Sequence, residues 1–121
     1  MFDLMVVREA LRKSRTQQIP AVDQDSLISQ LVHDIFGGEI LKTHRKRGWH
    51  FYNRIDGLRL DFTRSEGGKS LDEKRFEDIP ATPDETRLYF EKEQYLTFLM
   101  NFVRVFEEIV GLRNYQTGYS S

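Results

Sequence analysis

The pair Asp56-Gly57 constrains this chain more than any other feature. It separates residues 48–55 from residues 58–63, two runs rich in aromatic, aliphatic and β-branched side chains. Asp-Gly suits a two-residue type I′ turn, whose central residues both need positive φ. Such a turn fixes which residues face each other across the hairpin. Ile55 then faces Leu58, Asn53 faces Leu60 and Phe51 faces Phe62, a mostly apolar set predicted to be the core side. The other face pairs Arg54 with Arg59, Tyr52 with Asp61 and His50 with Thr63. His50 lies diagonal to Asp61 on that face, within side-chain reach. A carboxylate beside an imidazole holds its tautomer and favours its charged form. His50 and Asp61 therefore have the chemistry of a hydrolytic base and its orienter, and equally that of an ordinary ion pair. The Arg54–Arg59 pairing is unfavourable unless the guanidiniums splay apart, a carboxylate lies between them, or the register differs.

The remaining elements are placed by period and punctuation. Asp3 is a candidate cap for a helix over 4–13, with Leu4, Met5, Val7 and Leu11 along one stripe. Residues 17–22 are read as a connector. A second helix carries Leu27, Ile28, Leu31, Val32 and Ile35 on a broad apolar face, with Asp23 or Asp25 in its cap or first turn and Gly37 ending it. Residues 39–43 are read as a first strand, followed by a basic turn over 44–47. Residues 64–91 are polar and broken by Gly67-Gly68, Pro80 and Pro83. Ser70-x-x-Glu73 there is a weak capping box for a short helix over 71–76. The last helix is the clearest element. Tyr95, Phe98, Leu99, Phe102, Val103, Phe106, Ile109 and Val110 recur at helical spacing, a stripe expected to bury across the sheet.

Composition removes several function classes. The 121 residues form a single predicted domain, 1–121, with a formal charge of −1. Balanced charge argues against a polyanion binder. The absence of Cys excludes disulfides, thiolate catalysis and Cys-ligated metal. No apolar run approaches the ~20 residues of a membrane span, and the N-terminus has no signal pattern, so a cytoplasmic location is expected. His33, Asp34, His44 and His50 show no metal-ligand spacing, and neither a metal nor another cofactor is expected. Lys42, His44, Arg45, Lys46 and Arg47 cluster beside Trp49 and could hold phosphate or nucleic acid. Acids over 72–93 could instead neutralise them within the fold.

Taken together, Phe36-Gly37-Gly38-Glu39-Ile40-Leu41, Gly48-Trp49-His50-Phe51-Tyr52-Asn53, Asp56-Gly57, Asp61-Phe62-Thr63 and Glu93-Gln94-Tyr95 resemble the YunG-like family of small bacterial proteins. The resemblance covers residues 24–95. It implies a second helix opening on Gly-Gln-Cys, with a His and an Asp on following strands. That order resembles a minimal papain-like or transglutaminase-like cysteine-hydrolase core, in which a helix N-terminus and a His–Asp pair activate a thiol. Carried onto this sequence, the Gln-Cys falls on Gln24-Asp25, and His50 and Asp61 match the His and Asp. Asn53 and Thr63 match further motif positions and, with Trp49, are candidate ligand contacts. The nucleophile position holds Asp25, a poor acyl acceptor whose charge suits a helix start and a pairing with His50.

The expected fold is α+β: N-terminal helices, a three- to four-stranded antiparallel meander and a long C-terminal helix. The leading functional reading is a non-catalytic protein that binds a protein partner or small ligand around Gln24, Asp25, His50 and Asp61. One alternative is an amide or ester hydrolase using Ser26, His50 and Asp61. Another is a phosphate or nucleic-acid binder using the basic turn from Lys42 to Arg47.

Overall fold

The computed structural model describes residues 3–14, 24–46, 48–62 and 76–116, with side chains of the last stretch described as far as 111. Helix α1 (Leu4–Ser14) is capped by Asp3, whose side chain accepts from the Val6 N–H at 3.2 Å. Its buried side is Val6, Val7, Ala10, Leu11 and Ser14. Met5, expected on the same stripe, points outward and is 76% exposed. Helix α2 (Gln24–Phe36) buries every residue from Ser26 to Val32 and ends at Gly37, as its apolar run and glycine stop predict. Ile35 falls off that face and is exposed. Next comes Gly38, where a side chain is impossible without a shift: a Cβ would lie 2.7 Å from the Arg54 carbonyl oxygen.

Strands β1 (Glu39–Arg45), β2 (Gly48–Ile55) and β3 (Leu58–Leu60) form consecutive hairpins. The second hairpin has the expected register, Ile55 opposite Leu58, Arg54 opposite Arg59 and Asn53 opposite Leu60. Asp56 and Gly57 have φ of 52° and 80°, the positive values a type I′ turn requires. A fourth strand, β4 (Ile79–Ala81), returns beside β1, giving the order β3-β2-β1-β4. The sheet is antiparallel and four-stranded, but it is not a simple meander. Pro80 fits β4 because an edge strand need not donate on its outer side. Helix α3 (Pro83–Thr86) follows, opened by a capping box between Thr82 and Glu85, and a 3₁₀ turn leads to α4 (Lys92–Gln116).

Two sequence expectations change here. First, α4 does not lie across the sheet. It packs along α1, and Phe36 of α2 meets Phe102 and Phe106 edge-on at 6.2 and 5.9 Å between ring centroids. The core is enclosed by α1, α2, α4 and the β2–β3 hairpin, with Ile55, Leu60 and Phe62 closing one end. Second, the two hairpin faces are not cleanly apolar and polar. Leu58 is 55% exposed, whereas Tyr52 is 1% exposed on the face expected to be polar. The possible helix over 71–76 falls largely outside the described residues.

Candidate functional site

His50 lies on β2 with an aspartate on each side of its ring. Nε2 is 2.7 Å from Oδ2 of Asp61, and Nδ1 is 3.0 Å from Oδ2 of Asp25. The hairpin register supplies the first contact. Asp61 immediately follows β3, and its side chain crosses to the ring diagonal to it. The start of α2 supplies the second.

Asp25 has further partners that explain its fixed position. Its Oδ1 accepts from the Ser26 N–H at 2.8 Å, serving the positive end of the helix. Its Oδ2 also accepts from the Phe51 N–H at 3.0 Å. Alternation along this hairpin directs the Phe51 N–H toward the β3 side, where the Phe62 carbonyl would be its ladder partner. Asp25 takes that donor instead, consistent with β3 ending at Leu60 rather than running on to Thr63.

The cluster is shielded: side-chain exposures are 18% for His50, 13% for Asp25 and 8% for Asp61. Burial alone would lower the imidazole pKa. Hydrogen bonds and charge from Asp25 and Asp61 outweigh it and push His50 up to about 9. At neutral pH the ring is therefore a cation with a carboxylate on each nitrogen.

Gln24 is the first residue of α2 and half-buried. Ser26 is 1% exposed. Asn53, also 1% exposed, donates to the Ser29 carbonyl at 3.0 Å and so ties β2 to α2. Thr63 lies outside the described residues. Trp49 stacks on His44 with centroids 4.0 Å apart, and Nζ of Lys42 lies 4.4 Å from its ring centroid. Lys42 pairs with Glu85, and His44 Nδ1 is 2.9 Å from Glu77. Acids from the later part of the chain thus neutralise part of the basic turn; Arg47 is not among the described residues.

Asp78 went unrecognised in the sequence. It binds Arg59 through both carboxylate oxygens, at 3.0 and 2.6 Å, and lies 4.0 Å from Arg54, which itself grips Glu39. It also accepts from the Tyr52 hydroxyl at 2.8 Å while its own N–H donates back to that oxygen. Burial first, and then Asp78, push the Tyr52 pKa up. The unfavourable Arg54–Arg59 register was the available signal, since it called for an acid between or beside the two.

Among the described residues, no buried side-chain nitrogen or oxygen lacks a hydrogen-bond partner, and no group of three or more ligating side chains could hold a metal ion. No helix among them is long and apolar enough to cross a membrane.

Comparison with known proteins decides the family. The family model described as YunG protein matches residues 7–107. The chain belongs to the YunG family. It is 34% identical over 80 residues to the uncharacterized protein YunG of Bacillus subtilis (strain 168), across 66% of this chain and 67% of that relative. No solved structure matches it. The YunG match runs from Val7, in the second turn of α1, to Glu107 in α4, so it takes in the His50 cluster and every strand among the described residues.

Proposed function

We propose that this YunG-family chain is a non-catalytic binding domain, in which a hydrolase-like site has become an internal clamp. On the sequence resemblance, Asp25 stands where a papain-like relative would carry its nucleophilic thiol. The observation that supports the reading is the double engagement of His50. A general base needs a free lone pair on the nitrogen that takes the proton. Here both ring nitrogens are bound to carboxylates, and the ring is charged at neutral pH. Asp25 is an unsuitable acyl nucleophile. Ser26, the next residue along, is 1% exposed, and the His50 ring that would have to activate it is an imidazolium rather than an imidazole. The cluster instead joins the start of α2 to the end of the β2–β3 hairpin.

A fluorophosphonate probe with mass-spectrometric readout tests this. The expected outcome is no covalent adduct after prolonged incubation near pH 7. An adduct on Ser26 that disappears in both Ser26→Ala and His50→Gln would overturn the non-catalytic reading in favour of a serine hydrolase.

A further inference from the structure

Helix α4 has two apolar sides. One faces the core through Phe98, Phe102 and Val105, which are 2%, 1% and 8% exposed. The other is formed by Leu96, Met100 and Val103, which are 43%, 72% and 41% exposed. At about 100° per residue, these three lie within about 60° of one another, on the side of the helix away from Phe98. Their i, i+4, i+7 spacing is that of a helix–helix seam. A helix apolar on both sides is expected to have its second side covered by another element.

Charge indicates what that element is. Lys92 and Glu93 are exposed at the N-terminal end of the stripe, and Arg104 and Glu107 at its C-terminal end. A second α4 laid parallel would set Lys92 against Lys92 and Glu107 against Glu107. Laid antiparallel, about a two-fold axis between Leu99 and Met100, it sets Lys92 beside Glu107 and turns Glu93 toward Arg104. The same operation places Leu96 against Val103 and brings the two Met100 side chains together at the centre. The surface is thus self-complementary in the order of its apolar residues and in charge, with Arg104, which also pairs with Glu108 at 3.3 Å, facing acids on both helices, and an isologous contact requires such self-complementarity.

We propose that the outer side of α4 is a homodimer interface on which a second copy of this chain docks antiparallel. The inference is independent of the state of His50. One helix pair belongs at the small end of specific interfaces, below about 1,200 Å² in total, so the dimer should be weak and concentration-dependent.

Sedimentation velocity on the full chain, from about 1 µM to about 1 mM at low salt, reads this directly. The sedimentation coefficient should rise from the monomer to the dimer value across the range. Met100→Glu should stay monomeric throughout while keeping the wild-type circular dichroism spectrum. Lys92→Glu and Glu107→Lys should each weaken self-association about tenfold. An equimolar mixture of those two variants should regain wild-type association, because both interfacial pairs are then opposite in sign. A wild-type chain that remains monomeric throughout would overturn the proposal. So would a dimer indifferent to Met100→Glu, or a charge-variant mixture no better than either variant alone.

Discussion

A single carboxylate, that of Asp25, joins three parts of the structure: the first turn of α2, the Phe51 N–H on β2 and the His50 ring. Replacing it with Asn keeps the shape but removes the charge. The His50 pKa should then fall from about 9 toward the unfolded value of about 6.5, with Asp61 still holding part of the rise. An NMR titration of the ring carbons in wild type and Asp25→Asn measures this. An unchanged pKa would assign the whole effect to Asp61 and reduce Asp25 to a helix cap. The contact between His50 and Asp61 was legible because a two-residue turn fixes register over a short span of chain. The part played by Asp25 was less so. Periodicity placed it in a cap or first turn, and only the family resemblance aimed it at the ring. The packing of Asn53 was not legible either, for a general reason. A polar residue on an apolar strand face can face a ligand or satisfy a neighbouring backbone, and only the packed structure shows that it bonds to Ser29.

Among whole elements, the strongest sequence signals gave the right type but not always the right neighbour. The stripe on α4 predicted the helix, yet a stripe does not say which surface covers it, and α1 rather than the sheet does so. Strand β4 was not legible at all. It has three residues, contains a proline and follows a polar stretch, so neither period nor composition marked it. The core side of α4 carries its own prediction. Phe102 is 1% exposed and packs against Phe36 and Phe106. Phe102→Ala removes an aromatic ring from a closed space and should lower unfolding free energy by about 3–5 kcal/mol. Leu58→Ala, at an exposed position beside the hairpin turn, should cost less than about 1 kcal/mol. Urea denaturation of both variants provides the comparison. Equal losses would contradict the division of apolar residues between core and surface.

The whole molecule should record these local charges in its stability as a function of pH. His50 has a folded pKa raised above its unfolded value, so its contribution is fully present below about 6.5 and is lost as pH rises through about 9. The carboxylates act in the opposite direction. Arg12 holds Glu9 below its ordinary pKa, Arg54 does so for Glu39, Arg59 for Asp78 and Lys42 for Glu85. Their contributions are present above the ordinary carboxylate range and are lost as pH falls through the lowered folded values. Most of these groups are close to solvent, so the acid limb should be shallow and sensitive to salt. Burial, followed by Asp78 and Asp34 respectively, pushes the pKa values of Tyr52 and Tyr95 up, which adds a second alkaline loss beginning only near pH 10. Stability should therefore be highest between about pH 5 and 6.5 and decline in two alkaline stages. Asp25→Asn separates them. It should lessen the loss between about pH 6.5 and 9 and leave the one above about pH 10 in place. Urea midpoints taken at half-unit intervals from pH 4 to 10.5 test this. A wild-type curve that is level from pH 6.5 to 9 would mean that the buried imidazolium does not support the fold; an Asp25→Asn curve with the wild-type slope there would assign its support to Asp61 alone.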